Sequence, residues 1–288
     1  MADTASEILV LGATGTVGSL VLHELLAKQH RVRAGSRSPH TLLGNAKHYP
    51  VDVKSGAGLP QALDGVTKLF LVTPDMDDQL EAEQRIVDQA IAAGVGHIVK
   101  LSAFRAEDEI YLLGRTHRQI ERHIEASGLT WTFLRPSAFM QNFVTYYAPA
   151  LLGERRLRLP CGDAPVSFID ARDIATIAAK ALTDPAYANR SFEMFGPEPL
   201  SYADAVRVFS SRTGIECTYE PISDDAYCRL IEGPSQTYER IVDLFHCYSS
   251  GRASGEAFDM IAHAGRPLYT MNEFALAHRE QFLAGRAS

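Results

Sequence analysis

The sequence has no excess of positive charge: 28 lysines and arginines stand against 35 aspartates and glutamates, a formal net charge of −7. That argues against a general nucleic-acid partner, which needs a basic face, and leaves room for a small anion held by one or two local arginines. The four cysteines, Cys161, Cys217, Cys228 and Cys247, show no CxxC or CxxH spacing. Neither a zinc site nor a disulfide framework is expected, and the thiols are read as free in a reducing compartment. No stretch approaches the ~18 apolar residues of a membrane span. The opening MADTASEILVLGATG has no basic residue and only a short apolar run, which reads as a strand rather than a signal peptide. A cytoplasmic protein with no metal, no membrane association and no nucleic acid is the expectation. Low-complexity linkers and internal repeats are also missing, so the lobes are expected to pack as one body.

Alternation of strand and helix fills much of the chain. At 288 residues it is long enough to bury roughly three quarters of its unfolded surface without staples. ILVL (8–11) reads as a strand, followed by a helix to about Lys28. HRVRAGS is the second strand, then come a polar loop, the short strand HYPVDV and the fourth strand KLFLVTP. A helix from about Asp77 to Ala93 stops at Gly94, HIVKLSA is the fifth strand, and LTWTFLRP is the sixth. With no hairpin turns between them, these elements predict right-handed βαβ units. The fold class is therefore α/β: a Rossmann doubly wound parallel sheet with a smaller α/β C-terminal substrate lobe. Residues 1–155 form the expected dinucleotide-binding domain, with 163–184 returning to it. Residues 185–288 form the smaller lobe, expected over the carboxyl edge of the sheet.

GATGTVG, from Gly12 to Gly18, stands between a strand and a helix, as a dinucleotide-binding turn requires. Gly12 permits the tight turn, Gly15 lets backbone approach a pyrophosphate, and Gly18 lets the helix pack closely. The amides of Thr14, Gly15, Thr16 and Val17 are then aimed at the phosphates, where the helix dipole favours negative charge. At the end of the second strand, AGSRS carries Ser36 and Arg37 and no acid. A carboxylate there would take the ribose 2′-hydroxyl of NAD, whereas a guanidinium and a hydroxyl suit the 2′-phosphate of NADPH. Arg37 as a solvated surface charge is the alternative. Asp52 is placed to touch the adenine edge or to serve as a turn aspartate. Thr73 and Pro74 end the fourth strand, where open parallel sheets bind ligands.

These motifs, with GVGHIVKLSA, SGLTWTFLRPSAFMQNF, FIDARDIA, FGPEPLSYAD and GRPLYTMNEF, make the chain resemble an atypical short-chain dehydrogenase/reductase of the NmrA-like group almost end to end. The resemblance implies NADPH as cofactor and a function as a reductase of quinones, dyes or iminium-type compounds. It equally admits a redox-sensing regulator that binds the dinucleotide and a protein partner without turnover. The wider superfamily carries Tyr-x-x-x-Lys on the helix after the fifth strand. By that resemblance the tyrosine position is Leu113 and the lysine position His117, so both are replaced. Reductases resembling isoflavone reductase keep the lysine alone.

Hydride delivery to a ketone makes an alkoxide and needs a proton donor. Delivery to an iminium makes a neutral amine, and a quinone or conjugated acceptor spreads its charge. The departure therefore turns the expected substrate toward these acceptors. His117 lies in an apolar stripe with Leu113, Ile120 and Ile124. It is the catalytic candidate, with a reference pKa of about 6.5, or else a core residue satisfied by Glu121 or backbone. Ser102 ends the fifth strand, placed to polarise a substrate or to bond the nicotinamide amide. Phe139, Met140, Phe143, Tyr146, Tyr147, Tyr238, Phe245 and Tyr248 form a candidate wall for an aromatic or conjugated small molecule, with interlobe packing as the alternative. Asp170 and Asp173 are read as caps of the helix that follows. Self-association into a homodimer is left open.

Overall fold

In a computed structural model, which describes residues 6–38, 44–231 and 235–284, the alternation read from the sequence becomes one large sheet. Its strands begin with β1 (Glu7–Leu11), β2 (Arg31–Ser36), β3 (Lys47–Pro50), β4 (Lys68–Leu71), β5 (His97–Leu101) and β6 (Thr130–Pro136). They are interleaved with α1 (Thr16–Ala27), α2 (Leu59–Leu63), α3 (Gln79–Ala92) and α4 (Leu112–Ala126). Further strands are β7 (Arg156–Leu159), β8 (Val166–Ser167), β9 (Arg190–Met194), β10 (Pro199–Leu200) and β11 (Thr218–Pro221). The middle of the polar loop expected after β2 lies outside the described residues.

Seven strands pair in the order β3-β2-β1-β4-β5-β6-β9, and every neighbouring pair from β3 to β6 is parallel. The order reverses between β1 and β4, the switch point beside which such sheets bind ligands. Val10 sits opposite Ala34 on one side and Phe70 on the other. Strands β1, β4 and β5 are buried on both faces, which is why they read as apolar runs without alternation. Leu9, Leu11, Leu69, Leu71 and Ile98 meet Ile86 and Val87 of α3 and Ile120 and Ile124 of α4. Each such side chain contributes about 1.5–3 kcal/mol by leaving water.

Three elements differ from expectation. The third strand stops at Pro50, because a compact turn follows it. The Asp52 amide donates to the Ala57 carbonyl, and the Gly56 amide donates to the Asp52 carbonyl. Strand β9, expected in the smaller lobe, joins the large sheet beside β6; without it β6 would present an unpaired edge. On α4 the buried face is Gly114, His117, Ile120, Glu121 and Ile124, with Leu113 only half-buried. The stripe thus includes a carboxylate.

Two compact units result. One comprises Met1–Glu109, Gly114–Arg135 and Ile174–Glu193; the other comprises Ile110–Leu113, Pro136–Asp173 and Met194–Ser288. Within the second, β7 pairs with β11 in parallel and β8 with β10 antiparallel. Its helices Tyr202–Thr213 and Met271–Ala277 each begin with a capping box, Ser201 with Asp204 and Thr270 with Glu273. No helix among the described residues is long and apolar enough to cross a membrane.

One ion pair in the first unit has both side chains enclosed. Lys100 on β5 donates its ammonium to Glu83 of α3, and both side chains are cut off from solvent. Glu83 also accepts from Thr73 Oγ1 at 2.7 Å and from Gln79 Nε2 at 3.1 Å. Breaking such a pair leaves a bare buried charge. Glu83→Ala should therefore cost about 3–5 kcal/mol in urea unfolding, and Glu83→Leu combined with Lys100→Met should recover most of the loss.

Candidate functional site

The turn after β1 is shaped by three glycines, each for a different reason. Gly12 has φ +64°, and a Cβ there would lie 2.8 Å from Val72 Cγ1. A Cβ on Gly18 would lie 2.2 Å from the Gly12 carbonyl oxygen, so α1 closes directly onto the turn backbone. Gly15 is the N-cap of α1, with φ −84° and no side-chain cap. Its own amide donates to the Gly12 carbonyl at 2.8 Å. One of the four amides expected to face phosphates is therefore used inside the turn. Those of Thr14, Thr16 and Val17 make no backbone hydrogen bond among the described residues, and Thr14, Gly15 and Thr16 are exposed. An uncapped N-terminus on a helix of 12 residues is a ready anion cradle.

At the end of β2 the two candidates part. Arg37 is exposed and lines a cavity of about 610 Å³ with Pro50, Val51, Asp52, Ala57, Gly58 and Gln61. Ser36 is buried, and its hydroxyl donates to the Ser38 carbonyl at 2.8 Å while lying 3.1 Å from His48 Nε2. Its hydroxyl thus braces the loop. Asp52 is fixed by the Ser55 hydroxyl at 2.6 Å and the Lys54 amide at 3.1 Å. The Ser55 bond foremost, and the Lys54 amide next, hold its carboxyl below the usual range. Asp52 is thus a turn residue that also lines the cavity. Gln61, Ala57 and Gly58 were not legible as site residues, because only the turn after β3 brings them to Arg37.

The carboxyl ends of β4 and β5 carry the next group. Thr73 is half-buried and bonded to Glu83, while Pro74 is exposed. Ser102 is buried, and its Oγ donates to Glu121 Oε1 at 2.7 Å. Glu121 is the hub of a polar cluster. Arg135 of β6 grips it with Nε on Oε1 at 2.9 Å and Nη2 on Oε2 at 2.8 Å. Arg118 Nη1 adds a bond at 3.2 Å. Arg135 Nη1 also reaches Glu107 at 2.9 Å and Glu193 at 3.4 Å. Burial opposes the charge of Arg135, and the Glu121 carboxylate more than offsets it, leaving the guanidinium more basic than usual. His117 is 8% exposed on the same helix. The carboxylate one turn beyond it is thus committed to Ser102 and the two arginines.

In the second unit the aromatic candidates separate by burial. Met140, Phe143, Phe245 and Tyr248 are buried. Phe143 packs against Tyr147, Phe168, Tyr202 and Phe209, and Phe245 sits between Tyr227 and Tyr248. Met140, Phe143, Phe245 and Tyr248 thus belong to the unit's own core. Phe139 is half-buried and bridges to Ile169. Tyr238 donates its hydroxyl to the Asp224 carbonyl at 3.0 Å. Tyr146, which is 76% exposed, and Tyr147 do line a cavity, of about 410 Å³, with Tyr227, Leu230, Ile231, Arg156 and Arg158 among its other walls. Asp170 caps the helix Ala171–Thr183 by accepting from the Arg172 amide at 2.9 Å. Asp173 instead accepts from the Tyr269 amide at 3.0 Å and pairs with Arg266 at 2.7 Å. Burial raises its carboxyl to about 6. Among the described residues no group of three or more His, Cys, Asp or Glu could hold a metal ion.

A family model described as NmrA-like matches residues 4–274. An NAD(P)H azoreductase of Xenophilus azovorans is 32% identical over 96% of this chain and 99% of its own. A (4-alkanoyl-5-oxo-2,5-dihydrofuran-3-yl)methyl phosphate reductase of Streptomyces griseus is also 32% identical, over 96% of this chain and 99% of its own. Among solved structures, an NADPH-dependent quinone oxidoreductase from Escherichia coli, complexed with NADPH, superposes with a TM-score of 0.83. It covers 93% of this chain and 98% of that one at 23% identity, a likeness of fold.

The glycine turn can be tested without any ligand. Gly18→Ala should cost about 1–3 kcal/mol in urea unfolding, because the new methyl meets backbone that cannot move aside cheaply. Gly15→Ala, at a φ any residue adopts, should cost less than about 1 kcal/mol.

Proposed function

Because the chain belongs to the NmrA-like family, we propose that it is an NADPH-dependent reductase that passes hydride to a conjugated, quinone-like or iminium-type small molecule. The observation that carries this reading is the cavity at the end of β2, where Arg37 stands over Val51, Asp52 and Gln61. The exposed glycine turn on the neighbouring strand supports it. Relatives of 32% identity along nearly the whole chain bear reductase names, which favours turnover over a purely regulatory role.

The residues present fit a dinucleotide phosphate. The amides of Thr14, Thr16 and Val17 receive the pyrophosphate, and the Arg37 guanidinium receives the 2′-phosphate. The cavity of Val51, Asp52, Ala57, Gly58 and Gln61 takes the adenine. Thr73 and Ser102, at the ends of β4 and β5, serve the nicotinamide end. When bound, the cofactor supplies the hydride; the protein supplies position and an environment poor in water. With Leu113 where the resemblance puts the superfamily's tyrosine, that position delivers no proton. The acceptor must therefore tolerate added charge by delocalisation or become a neutral amine. His117 is the remaining group on that helix face able to give a proton near neutral pH.

Calorimetric titration with NADPH, NADH, NADP⁺ and NAD⁺ tests the cofactor reading. Arg37→Ala should weaken NADPH by about 10- to 100-fold, the factor for a charge-assisted hydrogen bond, and leave NADH nearly unchanged. An equal loss for both would overturn Arg37 as the phosphate anchor. Preference for the oxidised forms, with no turnover of quinones, enones or iminium compounds, would assign the protein to sensing instead. His117→Ala should lower kcat with a quinone by at least about 10²-fold at unchanged cofactor affinity. Unchanged kcat would make it a packing residue.

A further inference from the structure

We propose that Glu121, clamped by Arg135, is a positioning residue that fixes Ser102 as a hydrogen-bond acceptor, so that this hydroxyl receives the carboxamide N–H of the nicotinamide. It then polarises no substrate carbonyl. This rests on the NADPH reading above and assigns the hydroxyl's direction, which that reading leaves open.

The geometry settles where the serine proton goes. Ser102 Oγ lies 2.7 Å from Glu121 Oε1. Both carboxylate oxygens accept from Arg135, at 2.9 and 2.8 Å, and Oε2 accepts again from Arg118 at 3.2 Å. A guanidinium has five N–H donors, no acceptor and no accessible neutral form. A carboxylate facing such donors on both oxygens can only accept, so the O–H of the Ser102 pair belongs to serine. The Glu121 side chain is fully enclosed and that of Arg135 is 4% exposed. Water therefore does not compete for this bond.

A hydroxyl whose one proton is committed has only lone pairs left to offer. Ser102 Oγ makes no other hydrogen bond among the described residues, and its residue closes β5 at the ligand edge of the sheet. Its partner must be a donor. The nicotinamide carboxamide presents two N–H groups, whereas a quinone or ketone oxygen presents none. Of the two roles open to Ser102, polarising a substrate or bonding the nicotinamide amide, the geometry leaves the second. This agrees with the missing tyrosine at Leu113: neither position donates to a substrate oxygen.

The acetylpyridine analogue of NADP⁺ carries a methyl ketone in place of the carboxamide and has no N–H to give. The ratio of its dissociation constant to that of NADP⁺ reads the Ser102 bond and cancels any general loosening of the site. The native protein should favour NADP⁺ by about five- to tenfold, the factor for one hydrogen bond. Ser102→Ala should bring the ratio to about one by weakening NADP⁺ alone. In Glu121→Gln the amide turns its oxygen to Arg135 and its N–H to Ser102, which frees the serine proton; the ratio should fall to one or below. A native ratio near one, or one unchanged by Ser102→Ala, would overturn the proposal while the NADPH reading stands. Failure of the native protein to bind NADP⁺ or NADPH at all would overturn both.

Discussion

The tight seating of α1 on the turn after β1 is the constraint from which the first unit's chemistry follows. A Cβ on Gly18 would stand 2.2 Å from the Gly12 carbonyl oxygen, so the helix begins as close to the strand as backbone allows. The N-cap is Gly15, which has no side chain to cap the helix, so the first free amides of α1 are left to an outside partner. The Gly15 amide, which closes the turn on Gly12, holds the loop in this shape before anything binds. Preformed cradles spare the ligand the cost of ordering them.

Away from the turn, the first unit carries polar groups in places where apolar ones would be simpler. Lys100 with Glu83 and Arg135 with Glu121 are buried ion pairs, and such pairs are weak contributors to stability compared with good packing. What each pair does is hold a hydroxyl at a strand end. Glu83 takes the proton of Thr73 after β4, and Glu121 takes that of Ser102 after β5. Two neighbouring strands are thus followed by hydroxyls that donate to a buried carboxylate, and that of Thr73 also accepts from Gln79 Nε2 at 3.2 Å. The same arrangement recurs on two adjacent strands on one side of the switch point.

The second unit divides its aromatics differently. Phe143, Phe168, Tyr202 and Phe209 form its interior, while Tyr146, Tyr147 and Tyr227 are left to line a cavity. Edge-to-face contacts such as Phe168 with Tyr202, at 5.0 Å, tie the helix Tyr202–Thr213 to the segment after β8. The 2 roles fall to residues of one type because ring size suits both. Burial alone separates them.

Much of the fold was legible because its signals are local. Apolar runs bounded by glycine and proline mark β1, β4 and β5, and Gly94, at φ +80°, ends α3 as its type suggests. The three glycines of the turn and the acid-free AGSRS also announce themselves, since each acts within a few residues of its own chain. The pairing of β9 with β6 was not legible, because a strand's partner is chosen by which edge remains open. Nor were Gln61 beside Arg37 or the clamp of Arg135 on Glu121. Glu121 reads as one more polar residue on a charged helix until Ser102, Arg118 and Arg135 arrive around it. The sequence by itself determined the strand–helix order, the glycine cradle and the basic end of β2, all products of local backbone geometry and charge. Only the tertiary structure decided which hydroxyls donate, which aromatics are enclosed and which charges are paired, because those depend on distances between segments far apart in the chain.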